Sequence, residues 1–141
     1  MDAFEQLIAE YAGSRYAVTV DNCTDALFLC LKYLKASGEV TIPSRTYLSV
    51  PGAIIHAGCN IRFDDINWKG IYQLKPLPII DGAGRFTEGM YVPNMYQCLS
   101  FHFKKILKIG KGGMILTNDQ KAYEWFKVAR YEGRHMNVLY D

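Results

Sequence analysis

The stretch "CLSFHFKKILKIGKGG", residues 98–113, places four lysines between a short apolar run and a pair of glycines. The runs on either side, "QCLSF" at 97–101 and "GGMILT" at 112–117, are typical of buried β-strands. The lysines could form a solvated basic edge or a phosphate-binding patch, or one of them could carry covalent chemistry. The choice depends on which other residues the chain brings to the same place.

Working outward from this stretch, helical and strand patterns alternate along the chain. Helices are predicted from a capping box at Asp2 up to Gly13, from Thr24 to a stop at Gly38, and over residues 50–57. A last helix is predicted after a cap at Asn118 or Asp119, with an inward face that includes Trp125. Strands are predicted at 15–20, 39–43, 60–66, 77–81, 97–101 and 112–117. This order predicts an α/β fold with a mostly parallel sheet and helices on both faces.

Composition narrows the class of protein. A chain of 141 residues with 50% hydrophobic content predicts one globular domain, residues 1–141. A net charge of +2 gives no indication of a nucleic-acid partner, and the longest apolar run, residues 26–31, is too short for a membrane span. The four cysteines lack paired metal-ligand spacing, which predicts free thiols, no metal site and a cytoplasmic location. The start "MDAFEQ" does not resemble a secretory signal.

Polar residues follow several of the predicted strands, where open α/β sheets bind ligands. "DNCTDA" at 21–26 opens a helix, so its N–H groups and the Thr24 hydroxyl suit a phosphate, although Asn22 or Thr24 could simply cap the helix. Asp81 ends a buried strand, where a carboxylate requires a cation or several donors, unless it forms an ordinary turn. Ser100 and the lysines follow the next strand. Tyr47 could cover a flat ligand or fill the core.

The order of these features resembles the pyridoxal-phosphate aminotransferases of the DegT/StrS sugar-aminotransferase family. The resemblance runs over nearly the whole chain and is carried by five segments, the most specific being the Ser-Phe-His-x-x-Lys spacing before the Gly-Gly strand. The segments are "FEQLIAEYAGSRYAVTVDNCTDAL", "VTIPSRTYLSVPGAIIHAGCNIRFDDI", "LPIIDGAG", "SFHFKKILKIGKGGMILTND" and "VARYEGR".

The resemblance implies a role for each candidate residue. Lys105 would be the Schiff-base lysine, and Asp81 would hold the pyridine nitrogen of pyridoxal 5′-phosphate protonated. Tyr47 would stack on the ring, while Thr24 and Ser100 would bind the phosphate. The other lysines, Lys104, Lys108 and Lys111, would be ordinary solvated side chains. Family members form homodimers and move an amino group from glutamate or glutamine to the keto group of a nucleotide-linked sugar.

The chain departs from the family pattern at several positions. Cys23, which the resemblance includes among the cofactor-binding residues, stands where the family has the glycine before the phosphate threonine. Gly84 stands where a glutamine or histidine usually lies three residues after the cofactor aspartate. Residues 67–78 replace a helix, a strand and a helix. The resemblance places that missing strand between the strands of Asp81 and Ser100, so its loss would bring them closer by about 4.8 Å. The family's C-terminal small domain is also lacking.

These departures leave three interpretations open. The chain could be a shortened form of the large domain of fold type I transferases that remains an active aminotransferase. It could instead be a catalytically incomplete remnant that acts as a cofactor-binding or dimerising module. The third interpretation is a small phosphate- or nucleotide-binding α/β domain that uses the lysine-rich loop electrostatically.

Overall fold

Helices and strands alternate along residues 2–133, the part of the chain that this computed structural model describes. The helices are α1 (Asp2–Ala12), α2 (Cys23–Tyr33), α3 (Ser49–His56) and α4 (Gln120–Ala129). The strands are β1 (Tyr16–Val20), β2 (Glu39–Pro43), β3 (Asn60–Asp64), β4 (Tyr72–Gln73), β5 (Ile79–Asp81), β6 (Tyr96–Ser100) and β7 (Gly113–Thr117). Every predicted helix and strand is present, and β4 is an addition that the sequence did not predict. The end of the predicted domain, residues 134–141, lies outside the described residues.

The strands form two sheets. A five-stranded sheet has the order β1-β7-β6-β5-β4, and β2 and β3 pair separately. The α/β fold class is confirmed, but the larger sheet is mixed: β5 and β6 are parallel, whereas β7 is antiparallel to both β6 and β1, and β4 is antiparallel to β5. The parallel pair β5 and β6 is joined by residues 82–95, which form no helix but are long enough to carry the chain back to its starting end, whereas the short β4–β5 connection returns antiparallel.

Alternate side chains of the larger sheet enter two different cores. Val18, Cys98 and Ile115 point to a core shared with the buried faces of α2, α3 and α4. Leu99 and Met114 point to the opposite core, which includes α1. The period-2 alternation of the strands therefore places helices on both faces, as predicted.

The predicted inward face of α4 needs one correction. Ala122 and Phe126 are fully buried, but Trp125 is 39% exposed. Its indole packs edge-on against the ring of Phe126, so it covers the rim of the core without entering it. Asp119 is the helix cap, accepting the Ala122 N–H at 3.2 Å, while Asn118 instead accepts the Arg15 N–H.

A buried carboxylate joins α1, β1 and the end of α4. Glu5, 4% exposed, accepts the N–H and the hydroxyl of Thr19, each at 2.8 Å, and forms ion pairs with Lys127 and Arg130. Burial would raise the pKa of Glu5, but these donors outweigh it and lower the pKa. Because β1 is the edge strand, this cluster fastens the two helices to that edge of the sheet.

Residues 67–78 form no helix, as the sequence predicted, yet they are more than a bare connection. Tyr72 and Gln73 pair with β5, and Lys75 exchanges two backbone hydrogen bonds with Thr41 of β2, at 2.8 and 3.1 Å. The segment therefore lies between the two sheets. It does not lie between β5 and β6, which pair directly with Asp81 opposite Cys98.

No helix in residues 2–133 has both the length and the apolar character needed to cross a membrane.

Gly113 allows the start of β7 to lie against the loop before α2. A Cβ at this position would come 2.7 Å from the backbone nitrogen of Cys23 and would also collide with the carbonyl group of Asn22. Neither contact can be relieved by a side-chain rotation, because both involve backbone atoms. Strand β7 and the N-terminus of α2 can therefore touch only if residue 113 is glycine.

We expect Gly113→Ala to lower the free energy of unfolding by about 3 kcal/mol, because the backbone of either β7 or the α2 loop must shift. Urea denaturation followed by circular dichroism measures this. Gly52→Ala is the matched control: it lies in α3 with no heavy atom within 4 Å of the added Cβ, so it should raise stability by about 0.5–1 kcal/mol. Equal effects of the two substitutions would contradict the proposed contact.

Candidate active site

A cavity of about 560 Å³ lies where β5 and β6 end, where β7 begins and where α2 starts. The volume is that of a pocket for a small ligand. Its lining includes all six residues singled out in the sequence, which are Cys23, Thr24, Tyr47, Asp81, Ser100 and Lys105. The structure therefore brings together residues up to 82 positions apart in the chain. Their individual roles remain predictions.

Asp81 is the last residue of β5 and is 7% exposed. Its Oδ1 accepts the Ala83 N–H at 2.9 Å, and its Oδ2 accepts the Tyr72 hydroxyl at 2.9 Å. Burial raises the pKa of Asp81, while these two donors and the charge of Lys105 act in the opposite direction. The carboxylate is thus held by neutral donors and faces a cavity in which a cationic partner would stabilise its charged form.

The start of α2 supplies groups suited to an anion. Asn22 caps the helix by accepting the Asp25 N–H at 2.8 Å, so the capping alternative holds for Asn22. It does not hold for Thr24, whose hydroxyl donates to the Ser49 hydroxyl at 2.7 Å across the cavity wall. Cys23, the first helical residue, does not have the positive φ that would have required the family's glycine.

The surroundings of Cys23 favour the protonated form of its thiol. Burial, and then the neighbouring charge of Asp81, raise the pKa of Cys23 well above its ordinary value, although Lys105 acts in the other direction. A neutral thiol fills space beside the carboxylate. It reduces the room next to Asp81 without adding charge.

One lysine of the four differs from the others in its surroundings. Lys105 is half-buried in the cavity wall, whereas Lys104, Lys108 and Lys111 are exposed. The charge of Lys105 lowers the pKa values of both Asp81 and Cys23, which places it within electrostatic reach of the carboxylate. Lys104 and Lys111 also line the cavity, but their exposed ammonium groups remain in water.

The loop between β6 and β7 holds Lys105 by backbone contacts. The Lys105 N–H donates to the His102 carbonyl at 2.8 Å, and the His102 N–H approaches the Ser100 hydroxyl at 3.4 Å. Tyr47 lines the cavity and is 77% exposed, so it neither fills the core nor is shielded from a ligand. Ser49 and His102 line the cavity too and were missed, although the hydroxyl-rich run "SRTYLS" was a signal for Ser49.

Gly84 has a structural explanation. A Cβ at residue 84 would meet the Gly70 carbonyl oxygen at 2.9 Å and the Gly70 Cα at 3.2 Å. The short connection 67–78 therefore occupies the space next to residue 84. The lack of a side chain at Gly84 allows this close approach of the connection.

Comparison with known proteins identifies the family. The model of the DegT/DnrJ/EryC1/StrS aminotransferase family matches residues 1–80 and 82–140. The chain belongs to this family. The resemblance found in the sequence is thereby confirmed over nearly its whole length.

Curated relatives in this family are longer than the chain. It is 25% identical to the spore coat polysaccharide biosynthesis protein SpsC of Bacillus subtilis, over 92% of the chain and 45% of the relative. It is 27% identical to GDP-perosamine synthase of Escherichia coli O157:H7, over 96% of the chain and 49% of the relative. The chain spans about half the length of these relatives. The SpsC alignment runs over 174 positions, more than the 141 residues available, so that relative carries inserted residues.

Solved structures of aminotransferases share the fold. S. venezuelae DesV in complex with a ketimine intermediate superposes with a TM-score of 0.80, at 19% identity, over 98% of this chain and 49% of that one. NtdA from Bacillus subtilis with bound cofactor PMP gives a TM-score of 0.77 at 20% identity, over 97% and 41% of the two chains. The chain thus shares the fold of these longer proteins.

Asp81 gives the ligand-free chain a distinctive pH dependence. Because its folded pKa is raised above the unfolded value, the folded state binds more protons over the interval between them, and stability falls as pH rises through it. We expect Asp81→Asn to remove this decline, so that its advantage over the native chain grows from pH 4 to pH 7. Urea denaturation at several pH values measures it, and an unchanged or steeper decline would contradict a raised pKa.

Gly84→Gln restores the side chain that the resemblance expects at this position. We expect it to destabilise the chain by about 1–3 kcal/mol, because its Cβ collides with the backbone of Gly70. Thermal unfolding measures the loss, with Gly52→Ala as the control for adding a Cβ at a glycine. A variant as stable as the native chain would show that residues 67–78 can move away without cost.

Proposed function

We propose that this chain binds pyridoxal 5′-phosphate and acts as an aminotransferase, moving an amino group from glutamate or glutamine to a nucleotide-linked keto sugar. The observation that carries the proposal is the placement of Asp81 and Lys105 on one cavity, with the lysine charge acting on the carboxylate. The names of its relatives, GDP-perosamine synthase among them, support a sugar substrate. Residues 1–141 would act as one cofactor-binding domain.

The residues present fit this cofactor. A buried carboxylate that has only neutral hydrogen-bond donors is suited to a pyridine N–H carrying positive charge. The N-terminus of α2, with the Thr24 and Ser49 hydroxyls, is suited to a phosphate, and Ser100 can contribute from β6. When bound, pyridoxal phosphate supplies an aldehyde that joins amines and a ring that withdraws electrons from the substrate α-carbon.

Each residue then has a defined task. Asp81 would bind and orient the ring through its nitrogen, and Tyr47, exposed in the cavity lining, would cover the ring. The Lys105 amine would hold the cofactor covalently. When free, its Nζ would take the proton from the substrate α-carbon and later return it, as a general base and then a general acid. The half-buried position of Lys105 keeps this Nζ next to the reacting atoms.

We further propose that the chain forms a homodimer through the mouth of the cavity. Large apolar side chains are exposed on the two segments that line it, namely Tyr47, Leu48, Phe103, Ile106 and Ile109, which are 51–84% exposed. A surface of this kind is typical of a protein interface.

We also propose a cytoplasmic location, because all four cysteines are free thiols, including the buried pair Cys30 and Cys98, whose sulfur atoms are 3.7 Å apart.

A second function is favoured by the crowding around Asp81. Cys23 fills space beside the carboxylate, and the short connection excludes a side chain at residue 84. In this alternative the chain binds the cofactor or forms the dimer without completing amino transfer. It would still label Lys105, but it would show no turnover.

Borohydride trapping tests the proposal directly. We expect the purified chain mixed with pyridoxal phosphate to show a visible absorbance band, and reduction to place the label on Lys105, identified by peptide mass spectrometry. Lys105→Ala should abolish the band, because no other described lysine is half-buried beside Asp81. Lys104→Ala, the adjacent and exposed lysine of the same cavity, should retain it.

The outcomes separate the two functions. Labelled Lys105 followed by amino transfer from glutamate to a nucleotide-linked keto sugar supports the aminotransferase. Labelled Lys105 without transfer supports the non-catalytic alternative. Label on Lys104, or no label on either lysine, would contradict both.

A further inference from the structure

The carboxylate of Asp81 receives a hydrogen bond from a residue of the shortened connection. The Tyr72 hydroxyl donates to Oδ2 of Asp81 at 2.9 Å, and the Ala83 N–H occupies Oδ1. Within the described residues, Asp81 belongs to the cavity lining and Tyr72 does not. Tyr72 therefore reaches the carboxylate from the β4 side and leaves the side facing the cavity open.

Tyr72 is itself firmly held. It is 7% exposed, its hydroxyl is in hydrogen-bond contact with the Thr46 hydroxyl, and its ring packs edge-on against Trp68 at 4.7 Å between centroids. The Trp68 indole N–H in turn donates to the Arg45 carbonyl at 2.8 Å. Burial, and then the charge of Asp81, raise the pKa of Tyr72 well above its ordinary value, so the phenol keeps its proton. The hydroxyl is a permanent donor.

We propose that Tyr72 is a positioning residue for the cofactor site: its hydroxyl holds the Asp81 carboxylate charged and aimed at the cavity, so that the carboxylate can pair with the ring nitrogen. This rests on the proposed use of pyridoxal phosphate. The shortened connection thus adds a contact to the site and also excludes a side chain at residue 84. Trp68 and Thr46 act through Tyr72, by fixing the direction of its hydroxyl.

The other ionisable groups near Asp81 are poor substitutes for the Tyr72 hydroxyl as a donor to the carboxylate. The ionisable groups around it are Cys23 on α2, Cys98 on β6, Lys105 in the following loop and Tyr72 on β4. Burial raises the pKa of both thiols, so both are neutral and weak donors. Lys105 is the positively charged group of this set, and the cofactor would use its amine for the covalent attachment. With that amine occupied, Tyr72 and the Ala83 N–H remain as donors to the carboxylate.

The test compares Tyr72→Phe with Tyr96→Phe. Tyr96 is a matched control, because its hydroxyl also donates to an aspartate, Asp119, at 2.8 Å, but outside the cavity lining. The first measurement is the pH titration of the Asp81 side-chain carboxyl carbon by ¹³C NMR without cofactor, with the signal assigned through Asp81→Asn. The second is the affinity for pyridoxal phosphate by absorbance titration.

We expect Tyr72→Phe to move the Asp81 titration to higher pH and to weaken pyridoxal-phosphate binding roughly tenfold, as the loss of a hydrogen bond to a charged group implies. Tyr96→Phe should leave both unchanged. Thr46→Val, which keeps the phenol but removes its fixing partner, should move the titration in the same direction by a smaller amount. It provides the test if Tyr72→Phe does not fold.

An unchanged Asp81 titration in Tyr72→Phe overturns the inference, as does a titration that moves while cofactor affinity stays at the native value. A native chain that binds no pyridoxal phosphate overturns the proposed function instead. In that case the titration without cofactor still decides whether Tyr72 controls the charge of Asp81. The two failures are therefore distinguishable.

Discussion

A carboxylate enclosed at the tip of a strand is the constraint on which the site depends. Asp81 is 7% exposed at the end of β5, and burial disfavours its charge. The surrounding protein offsets only part of this cost, through one phenol, one backbone N–H and the more distant charge of Lys105. The protein thus maintains a group that gains most when a positive partner enters the cavity. Binding sites commonly retain such locally unfavourable groups.

The shortened connection, residues 67–78, makes contacts of its own that shape the site. Residues 67–78 close against Gly84, bring Tyr72 to Asp81 and pair at Lys75 with β2. Through these contacts the connection reaches Gly84, the carboxylate of the cavity and the second sheet. The residue that differs from the family pattern at position 84 accommodates the backbone of the connection.

Much of this arrangement was predictable from the sequence, and the rest was not for identifiable reasons. Hydrophobic periodicity gave the helices and the longer strands, because burial on one face imposes a period that the sequence displays. Strand β4 has two residues and therefore no period to detect. The antiparallel course of β7 depends on how the loop after Ser100 folds, which periodicity does not encode. Trp125 appeared to be a core residue because its spacing fits, whereas its size leaves part of it at the surface.

The residues of the site also divide into those that the sequence could predict and those that it could not. The residues of the cavity could be named because each stands at the end of a strand or the start of a helix, a position that the pattern of elements fixes. Tyr72 and Ser49 could not, because Tyr72 meets Asp81 across the β4–β5 pairing that the sequence did not predict, and Ser49 meets Thr24 where α3 packs against α2. The half-buried state of Lys105, which separates it from Lys104, is also a property of the folded loop. The sequence distinguished the two lysines only through the family spacing.

The separation of β2 and β3 from the larger sheet has a mechanical consequence. Tyr47 and Ser49 follow β2, whereas Asp81 and Ser100 end strands of the five-stranded sheet, so opposite walls of the cavity belong to different sheets. In the described part of the chain, Thr41 and Lys75 join those sheets through two backbone hydrogen bonds, and Thr46 contacts Tyr72 of β4 through their hydroxyls. The core that Val40 and Ile42 of β2 share with Val18 and Cys98 of the larger sheet holds these walls together, so the width of the cavity depends on packing between the sheets and not on the strand pairing within either one.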